Sequence, residues 1–199
     1  MNGFERRRER KKKDILEATL ELFMKHGVRK VSIAEIADRA SVSQVTIYNY
    51  FGSKDQLIYE VIIYYVDKIW GEYDRLFKSK MPFPDKIKRI IFDKKQVANQ
   101  ISGEFLEYIM EEYSAGSNYI EKVYQEKALP QFMELFEVGK AQGYIDQSIS
   151  NEAILLYIKM FKEYMQQEDV IQNILPITED FTKLFFFGIA GKSEDTSCK

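Results

Sequence analysis

The stretch of residues 32–58 constrains the fold of this chain more than any other segment. It has the pattern of a short helix, a turn at 41–43, a second short helix at about 44–50 and the beginning of a longer helix. A helix as short as the second one is not stable alone in water, so neighbouring helices must hold it, and Ile47 and Phe51 are its predicted core anchors. The pattern predicts a helix-turn-helix, a motif whose second helix enters the major groove of DNA.

Polar residues at the helix starts support this segmentation. Ser32 with Glu35, and Ser53 with Gln56, have the spacing of a capping box, in which each side chain satisfies a free backbone amide at the start of a helix. The two boxes lie on either side of the predicted turn. They therefore indicate where two of the helices begin.

An amphipathic helix is predicted upstream, from residue 6 to about residue 26, because apolar residues recur there every three or four positions. Gly27 follows it at the position of a left-handed C-cap. The start of this helix carries seven cations within the first thirteen residues, which are Arg6, Arg7, Arg8, Arg10, Lys11, Lys12 and Lys13. Such a basic arm fits contact with phosphates or with a minor groove, and a solvated charged face with i,i+4 ion pairs is the alternative. The stretch lacks the large apolar residues of a membrane-surface helix.

The charge of the chain is divided unevenly. Residues 1–60 carry 12 Lys and Arg against 9 Asp and Glu, whereas the rest of the chain carries 17 against 22. The formal net charge of the whole chain is -2, which argues against a general coat for nucleic acid. This division instead favours a DNA-binding head on a body that has another task.

The N-terminal pattern also matches a known family. The matching residues are Ile15, Ala18, Leu22, Phe23, Gly27, the run Ser32–Ala37, Ala40, Val42, Ser43 and the run Thr46–Leu57. Through them, residues 12–62 resemble the DNA-binding domain of the tetracycline-repressor (TetR) family of bacterial regulators. The chain departs from the family pattern at Ser41, where the family usually has Gly, and at Val45, where it often has Gly or Pro.

The resemblance implies which residues contact DNA. They are Ser32, Ser43, Gln44, Val45, Thr46, Tyr48, Asn49, Tyr50 and Lys54, together with Arg6, Arg7 and Arg8. Gln44 and Asn49 suit the hydrogen-bonding edge of adenine, and Val45 suits a thymine methyl group. The hydroxyls and the lysine suit phosphates, as do the amides at a helix start. Half-buried packing is the alternative for both tyrosines, and a merely solvated position is the alternative for the lysine.

The chain after residue 60 has the pattern of helices only. The predicted helices, counting the one that begins at residue 54, cover 54–77, 85–99, 103–113, 118–142, 151–167 and 177–190. Pro130 predicts a kink or a split within the fourth of them. We therefore predict an all-α fold with a helix-turn-helix DNA-binding domain over residues 1–53, a helical regulatory and dimerisation domain over 54–192, and a disordered tail over 193–199.

Aromatic residues are concentrated in this second domain, and ordinary core packing accounts for most of them. The TetR resemblance implies in addition a pocket for a small-molecule inducer of apolar or aromatic character. Its expected lining residues are Tyr65, Ile69, Phe105, Tyr108, Ile109, Tyr124 and Phe132. Glu104, Glu107 and Glu111 lie on one helical side, where they suit either a cationic ligand or a solvated face.

The last two predicted helices have broad apolar sides. The residues expected at a dimer interface are Leu156, Met160, Tyr164, Phe181, Phe185 and Gly188. A helix-turn-helix that binds a short half-site usually works as a two-fold pair, and the resemblance implies dimerisation through a four-helix bundle of these helices. Burial against the chain's own core is the alternative.

No feature of the sequence favours catalysis or a cofactor. The chain has one histidine and one cysteine, and neither belongs to a cluster with metal-ligand spacing. A Gly-rich phosphate loop is absent too. The apolar runs are too short to span a bilayer, and a single cysteine allows no internal disulfide, which suits a reducing cytoplasm. We therefore expect a protein that is not an enzyme, binds no metal or cofactor, associates with no membrane and works in the cytoplasm.

These observations lead to one expected function and one alternative. The first is a sequence-specific transcriptional regulator, a ligand-responsive repressor that binds a palindromic double-stranded DNA operator as a homodimer. The alternative is a co-regulator with the same helix-turn-helix fold that responds to a protein partner instead of a small molecule. A steep dependence of DNA binding on salt distinguishes the two.

Overall fold

The described part of the computed structural model covers residues 2–114, 119–165, 170, 173 and 175–190. Its α-helices are α1 (Gly3–His26), α2 (Ile33–Arg39), α3 (Gln44–Phe51), α4 (Lys54–Lys78), α5 (Phe83–Gln100), α6 (Gly103–Ser114), α7 (Tyr119–Val123), α8 (Leu129–Ala141), α9 (Asn151–Met165) and α10 (Thr178–Ala190). The described residues contain no strand, so the all-α prediction is confirmed. No helix within these ranges combines the length and the apolar character needed to cross a membrane. The tail predicted over 193–199 lies outside the described residues.

Helix α1 begins earlier than the sequence pattern predicted, because Asn2 caps it. The Oδ1 atom of Asn2 accepts hydrogen bonds from the amides of Phe4 and Glu5 at 3.0 and 2.9 Å. The amide of Asn2 donates in return to the Glu5 carboxylate at 2.8 Å, which completes a capping box. The basic residues that follow therefore belong to the first turns of a capped helix and do not form a separate arm.

The helix predicted over 118–142 is divided, as the proline inside it predicted. A π-helical segment, Tyr124–Ala128, separates α7 from α8, and the amide of Leu129 donates to the carbonyl of Tyr124. Pro130 has no amide hydrogen, and its ring does not fit against the carbonyl four residues earlier in a regular helix. The turn before the proline therefore widens into a π-helix instead of breaking.

Of the two predicted capping boxes, only the one at Ser32 and Glu35 forms completely. At the start of α4, the amide of Gln56 donates to the hydroxyl of Ser53 at 3.1 Å. The amide of Ser53 donates to the carbonyl of Phe51 at 2.9 Å, so it is not offered to the Gln56 side chain. The second capping box is therefore incomplete, because the tight turn between α3 and α4 already uses the amide hydrogen of Ser53.

The described helices form two compact units. The N-terminal unit comprises residues up to 70 and residues 100–111, and the C-terminal unit comprises residues 71–99 and the residues from 112 onward. A division after residue 53, as expected from the sequence, differs from this grouping of contacts. Helix α4 contributes residues to both units.

The core of the N-terminal unit explains why α4 and the start of α6 belong to it. Its most deeply buried side chains include Ile15, Phe23, Ile36, Ile47, Leu57, Val61 and Phe105. The ring of Phe105 on α6 lies 5.8 Å from the ring of Phe23 and 5.9 Å from that of Tyr65. An ion pair of 2.6 Å between Lys12 and Glu60 joins α1 to α4.

The C-terminal unit has its own apolar core. The buried members of this core are Phe83, Ile87, Ile90, Ile91, Leu135, Phe136, Ile145, Ile154 and Phe186. Gly139 on α8 allows close packing there, since a Cβ atom at this position would lie only 2.7 Å from the ring of Phe83. The same ring stacks on Tyr144 at 5.5 Å between centroids.

Lys54 ties the start of α4 to the loop between α1 and α2. Its Nζ atom donates to the carbonyl oxygens of Val28 and Val31 at 3.1 and 2.7 Å. Hydrogen bonds from a charged donor are stronger than neutral ones. Lys54, the first residue of α4, therefore holds the loop between α1 and α2, which leads into the helix-turn-helix.

Ser41 adopts the left-handed conformation in the turn between α2 and α3, with a φ of 52°. Its amide donates to the carbonyl of Asp38 at 3.0 Å, and the amide of Val42 donates to that of Ala37 at 2.9 Å. These bonds close the C-terminus of α2 and require the unusual φ at this position. A residue with a side chain is strained there, which explains why the TetR pattern places Gly at this point.

Replacing Lys54 with Met removes both hydrogen bonds and keeps most of the apolar stem. We expect the free energy of unfolding to fall by about 1–3 kcal/mol, because two carbonyl groups lose a charged donor. Urea unfolding followed by circular dichroism measures this change. Lys30→Met, at an exposed position in the same loop, is the control and should stay within about 0.5 kcal/mol of the wild type. Equal effects of the two variants would contradict the structural role of Lys54.

Replacing Ser41 with Gly should have the opposite effect on stability. Glycine adopts a left-handed φ without the clash of a Cβ atom, so we expect the free energy of unfolding to rise by about 0.5–1 kcal/mol. Gly52 has a φ of +76° and open space around it. Gly52→Ser is therefore the reverse experiment and should lower the free energy of unfolding. A loss of stability in Ser41→Gly would show that the backbone at this turn is not strained.

Candidate nucleic-acid interface

Helix α3 is held at both ends and by two side chains on its inner side. Ser43 is its N-cap, and the amide of Thr46 donates to the Ser43 hydroxyl at 3.0 Å. Ile47 and Phe51 are almost completely buried, as the sequence predicted. The helix ends at Gly52, whose amide donates to the carbonyl of Tyr48 at 2.8 Å. These contacts fix which side of this short helix faces outward.

The outward side of α3 carries the residues expected to meet base edges. Gln44 and Asn49 are exposed, and so is Val45, with 67% of its surface accessible. Tyr48 is 47% exposed. An amide, a branched apolar side chain and a phenol thus face solvent on one short helix, a combination that suits both hydrogen bonds and methyl contacts in a groove.

Tyr50 is half-buried, which agrees with the packing alternative. Its ring on α3 lies close to side chains of α3 and α1. Its ring centroid lies 6.2 Å from that of Phe51, and the guanidinium carbon of Arg8 lies 5.9 Å from the Tyr50 ring. The ammonium of Lys12 lies 5.8 Å from the Phe51 ring. Cations of α1 therefore lie at the end of α3, in contacts of the cation–π type.

The expected arginine contacts lie on the first turns of α1. Arg6 and Arg7 are exposed there, as is Arg8. Lys13, one turn further on, forms a 3.6 Å ion pair with Glu17. The N-terminal arginines are thus presented by a capped helix, and among the described ion pairs of this basic stretch only that of Lys13 has the i,i+4 spacing of the solvated-face alternative.

Three hydroxyls that the resemblance assigns to DNA contacts have structural partners. The hydroxyl of Ser32 donates to the Glu35 carboxylate at 2.7 Å, and the hydroxyls of Ser43 and Thr46 lie 2.8 Å apart. Hydrogen bonds from the backbone amide and the hydroxyl of Ser32 lower the pKa of Glu35 below its usual value. A phosphate at Ser32 must therefore displace an existing hydrogen bond, whereas one hydroxyl hydrogen of the Ser43–Thr46 pair stays available.

Lys54 has a role that sequence reasoning missed. Two of its three ammonium donors bond to carbonyl groups 26 and 23 residues away along the chain. One donor remains for a phosphate. Hydrogen bonds between residues so far apart along the chain leave no local pattern in the sequence.

The C-terminal unit contains a cavity of about 310 Å³. Among the residues expected in a ligand pocket, Tyr124 and Phe132 line it. The other expected pocket residues belong to the N-terminal unit and are not part of this lining: Tyr65, Ile69, Phe105, Tyr108 and Ile109. The structure therefore does not bring the expected set together at this cavity, and Phe105 on α6 packs on Phe23 of α1 and Tyr65 of α4.

Glu104 has a partner within the chain. Its Oε1 atom accepts hydrogen bonds from the amide of Arg29 at 3.2 Å and pairs with the Arg29 Nε atom at 3.3 Å. Gly27 makes room for this carboxylate, since a Cβ atom there would lie 2.1 Å from the second carboxylate oxygen. The idea of a cationic ligand at the glutamates of α6 is therefore not needed to explain Glu104.

Helices α9 and α10 leave large apolar side chains exposed. They are Leu156, Met160 and Tyr164 on α9, and Leu184 and Phe187 on α10. Gly188 is exposed as well, with open space where a side chain would lie. Large apolar side chains left in solvent commonly mark contact sites for other molecules.

Phe181 and Phe185, which were expected at the dimer interface, line the cavity. The ring of Phe185 stacks on Tyr157 at 5.5 Å, and Phe181 meets Phe161 edge to face at 5.8 Å. Residues four apart share a helix face, so these two phenylalanines point to one side of α10. The sequence pattern spread apolar residues over more than half of the helix and did not separate the two sides.

The described residues hold no group of three or more His, Cys, Asp and Glu side chains with the arrangement of a metal site. His26 is exposed in the last turn of α1. The helix dipole favours positively charged side chains at this end of a helix. Cys198 lies outside the described residues.

Comparison with known proteins concerns mainly the N-terminal helices. Residues 15–61 match the family model of the bacterial regulatory proteins of the tetR family. The chain is 38% identical over 73 residues to the HTH-type transcriptional repressor KstR of Mycolicibacterium smegmatis, covering 37% of this chain and 35% of that protein. It is 27% identical over 66 residues to the repressor KstR2 of Rhodococcus jostii, covering 33% of this chain and 32% of that protein. The match thus spans about a third of the length of these relatives, both named as transcriptional repressors.

Solved structures extend the likeness to the whole fold. The fatty acid degradation regulator FadR from Bacillus halodurans has a TM-score of 0.58 at 18% identity, covering 87% of this chain and 93% of that chain. The TetR transcriptional regulator SCO0520 from Streptomyces coelicolor has a TM-score of 0.56 at 16% identity, covering 89% of this chain and 97% of that chain. At such identities the likeness concerns the fold alone. Residues 15–61 thus resemble the DNA-binding part of the tetR family of bacterial regulatory proteins, and the fold of the chain resembles that of solved TetR-type regulators.

Proposed function

We propose that this chain is a sequence-specific DNA-binding transcriptional regulator that works as a two-fold dimer and responds to a small ligand. The outward side of α3 carries the proposal, because Gln44, Val45 and Asn49 face solvent on a helix whose opposite side is anchored. In this arrangement one α3 helix enters the major groove at each half-site. Gln44 and Asn49 bond to base edges there, and Val45 contacts a thymine methyl group.

Phosphate contacts position α3 in the groove. Their donors are the hydroxyls and charges around this helix: Ser32, Ser43, Thr46, Tyr48, Tyr50, Lys54, Arg6, Arg7 and Arg8. The arginines stand on the exposed first turns of α1, and Arg8 lies beside the Tyr50 ring at the end of α3. Such contacts raise the affinity for DNA of any sequence, whereas the base contacts make the protein prefer a particular sequence.

Two copies of the chain pair through α9 and α10. Leu156 and Met160 on α9 and Leu184 on α10 each expose more than half of their surface. Burial of such side chains by a second copy removes apolar surface from water. Exposed Gly188 allows the backbones to approach closely. The dimer then binds an inverted-repeat operator with one α3 helix per half-site.

A ligand in the C-terminal unit lowers the affinity for the operator. Helix α4 is continuous from Lys54 to Lys78, so it carries residues of both units. The ligand must bind the DNA-competent and DNA-incompetent states unequally to have any effect. The names of the KstR relatives favour repression as the output.

Selection of random duplex DNA by the purified protein tests DNA recognition directly. We expect a two-fold symmetric site to be enriched. Gln44→Ala should relax the preference at one base pair of each half-site by about 1–3 kcal/mol. Arg7→Gln is the matched variant for a phosphate contact and should weaken binding to all sequences alike, with the log–log salt slope reduced by about 0.9 for each phosphate that is no longer neutralised. A folded protein that enriches no sequence favours the co-regulator with a protein partner.

Sedimentation equilibrium tests the dimer. We expect the wild-type chain to be dimeric and Leu184→Glu to be monomeric at the same concentration, because the carboxylate would be buried without a partner. Val138→Glu is the control, since Val138 is also an exposed apolar residue, at 41%, on a different helix. It should keep the wild-type mass. A monomeric wild type, or loss of the dimer in both variants, rules out this interface.

A further inference from the structure

The cavity of the C-terminal unit is apolar except for a few polar groups at its wall. Its apolar lining includes Ile90, Leu129, Phe132, Ile158, Phe161 and Phe181. The polar lining residues are Lys94, Tyr124, Thr178 and Thr182, of which Lys94 alone carries a charge. The hydroxyl of Thr182 donates its hydrogen to the carbonyl of Thr178 at 2.7 Å, so it is already in use. Lys94 is therefore the principal donor that the wall offers to a bound molecule.

Lys94 differs in its ion pairing from its charged neighbours on α5. Within the described residues, no Asp or Glu lies at ion-pair distance from it. The ion pairs formed nearby on α5 and α10 are Arg89 with Asp93 at 3.0 Å, and Glu179 with both Lys95 and Lys183 at 2.6 and 2.7 Å. Asp93 and Glu179 are thus paired with other cations. Lys94 is left as the charged residue of the cavity lining, without an ion pair among the described residues.

The surroundings of Lys94 are unfavourable for a lone cation. Lys94 lines the apolar cavity and is exposed as a whole, and its ammonium lies 5.9 Å from the ring of Tyr73. Burial of the ammonium lowers the pKa of Lys94 below its usual value. A ring face compensates only weakly for lost water. An anion placed beside the ammonium would restore the missing partner.

We propose that this cavity binds an amphipathic anion, a small molecule with an apolar body and a single carboxylate-type head that pairs with Lys94. The body lies among the phenylalanines of α8, α9 and α10. A cavity of about 310 Å³ is at the small end of ligand pockets, which suits one aliphatic chain or a small ring system. The proposal rests on the ligand-responsive part of the proposed function and names the class of its ligand.

Three probes with the same chain and different heads test the proposal. They are dodecanoate, 1-dodecanol and dodecylamine, each titrated calorimetrically into the full chain without DNA and below its aggregation concentration. We expect dodecanoate to bind about 10–100-fold more tightly than the alcohol, as a charged hydrogen-bonded pair implies. The amine should bind most weakly, because its charge repels Lys94.

Variants of Lys94 assign the selectivity to this residue. Lys94→Met should weaken dodecanoate binding about 10–100-fold and leave 1-dodecanol binding unchanged, because only the charge is removed. Lys94→Arg should keep most of the affinity for dodecanoate. Lys88→Met is the control on the same helix, since Lys88 is exposed and does not line the cavity. It should bind all three probes like the wild type, and thermal unfolding should show that every variant is folded.

Several outcomes overturn the proposal. It fails if dodecanoate and 1-dodecanol bind equally, if Lys94→Met binds dodecanoate as tightly as the wild type, or if no probe binds. It also fails if dodecanoate binds only to the monomeric Leu184→Glu variant, because a second copy of the chain would then occupy the cavity.

The affinity for the selected operator separates this proposal from the proposed function. Lys94-dependent binding of dodecanoate with unchanged DNA affinity supports the site and refutes its role in regulation. Enrichment of an operator by a protein that binds none of the probes supports DNA recognition and refutes the site. Release of DNA by dodecanoate in the wild type, but not in Lys94→Met, supports both.

Discussion

Helix α3, which we propose to contact DNA, depends on contacts that come from outside it. Helix α3 has eight residues, and helices shorter than about 12–15 residues are marginal alone in water. It persists because Ser43 caps its start, because Ile47 and Phe51 are buried, and because cations of α1 meet the rings at its end. The outward side chains take no part in this support. Residues that select a DNA sequence can therefore change without loss of the fold that presents them.

The start of α6 is fixed to the end of α1 by a second group of contacts. The hydroxyl of Ser102 donates to the carbonyl of Phe23 at 2.9 Å, and its amide donates to that of Met24 at 2.8 Å. Glu104 pairs with Arg29 in the loop after α1. Two other carbonyl groups of this loop accept hydrogen bonds from Lys54. One short loop thus receives bonds from α4 and from α6. A displacement of either helix would change the support of the helix-turn-helix, which gives the proposed ligand signal a physical route.

Local interactions were predictable from the sequence, and contacts between distant segments were not. The cap at Ser32, the anchors Ile47 and Phe51 and the disturbance before Pro130 follow from residues a few positions apart, and all are present in the structure. The bond from Arg29 to Glu104 spans 75 residues and has no local pattern. The DNA contacts remain predictions from family resemblance, supported by exposure. The position of Lys94 at the cavity could not be predicted, because the sequence around a lysine in an amphipathic helix does not show whether the side chain lines a cavity or is fully solvated.

Helices α9 and α10 present different side chains to the cavity and to solvent. Phe161 and Phe181 line the cavity, while Met160 and Leu184 face solvent where a second copy would pack. Packed side chains transmit small displacements because protein interiors are dense. A ligand that fills the cavity would therefore act on the same two helices that we propose as the dimer interface. By linkage, a ligand that lowers the affinity of the dimer for DNA must itself bind more weakly to the DNA-bound dimer, by the same factor.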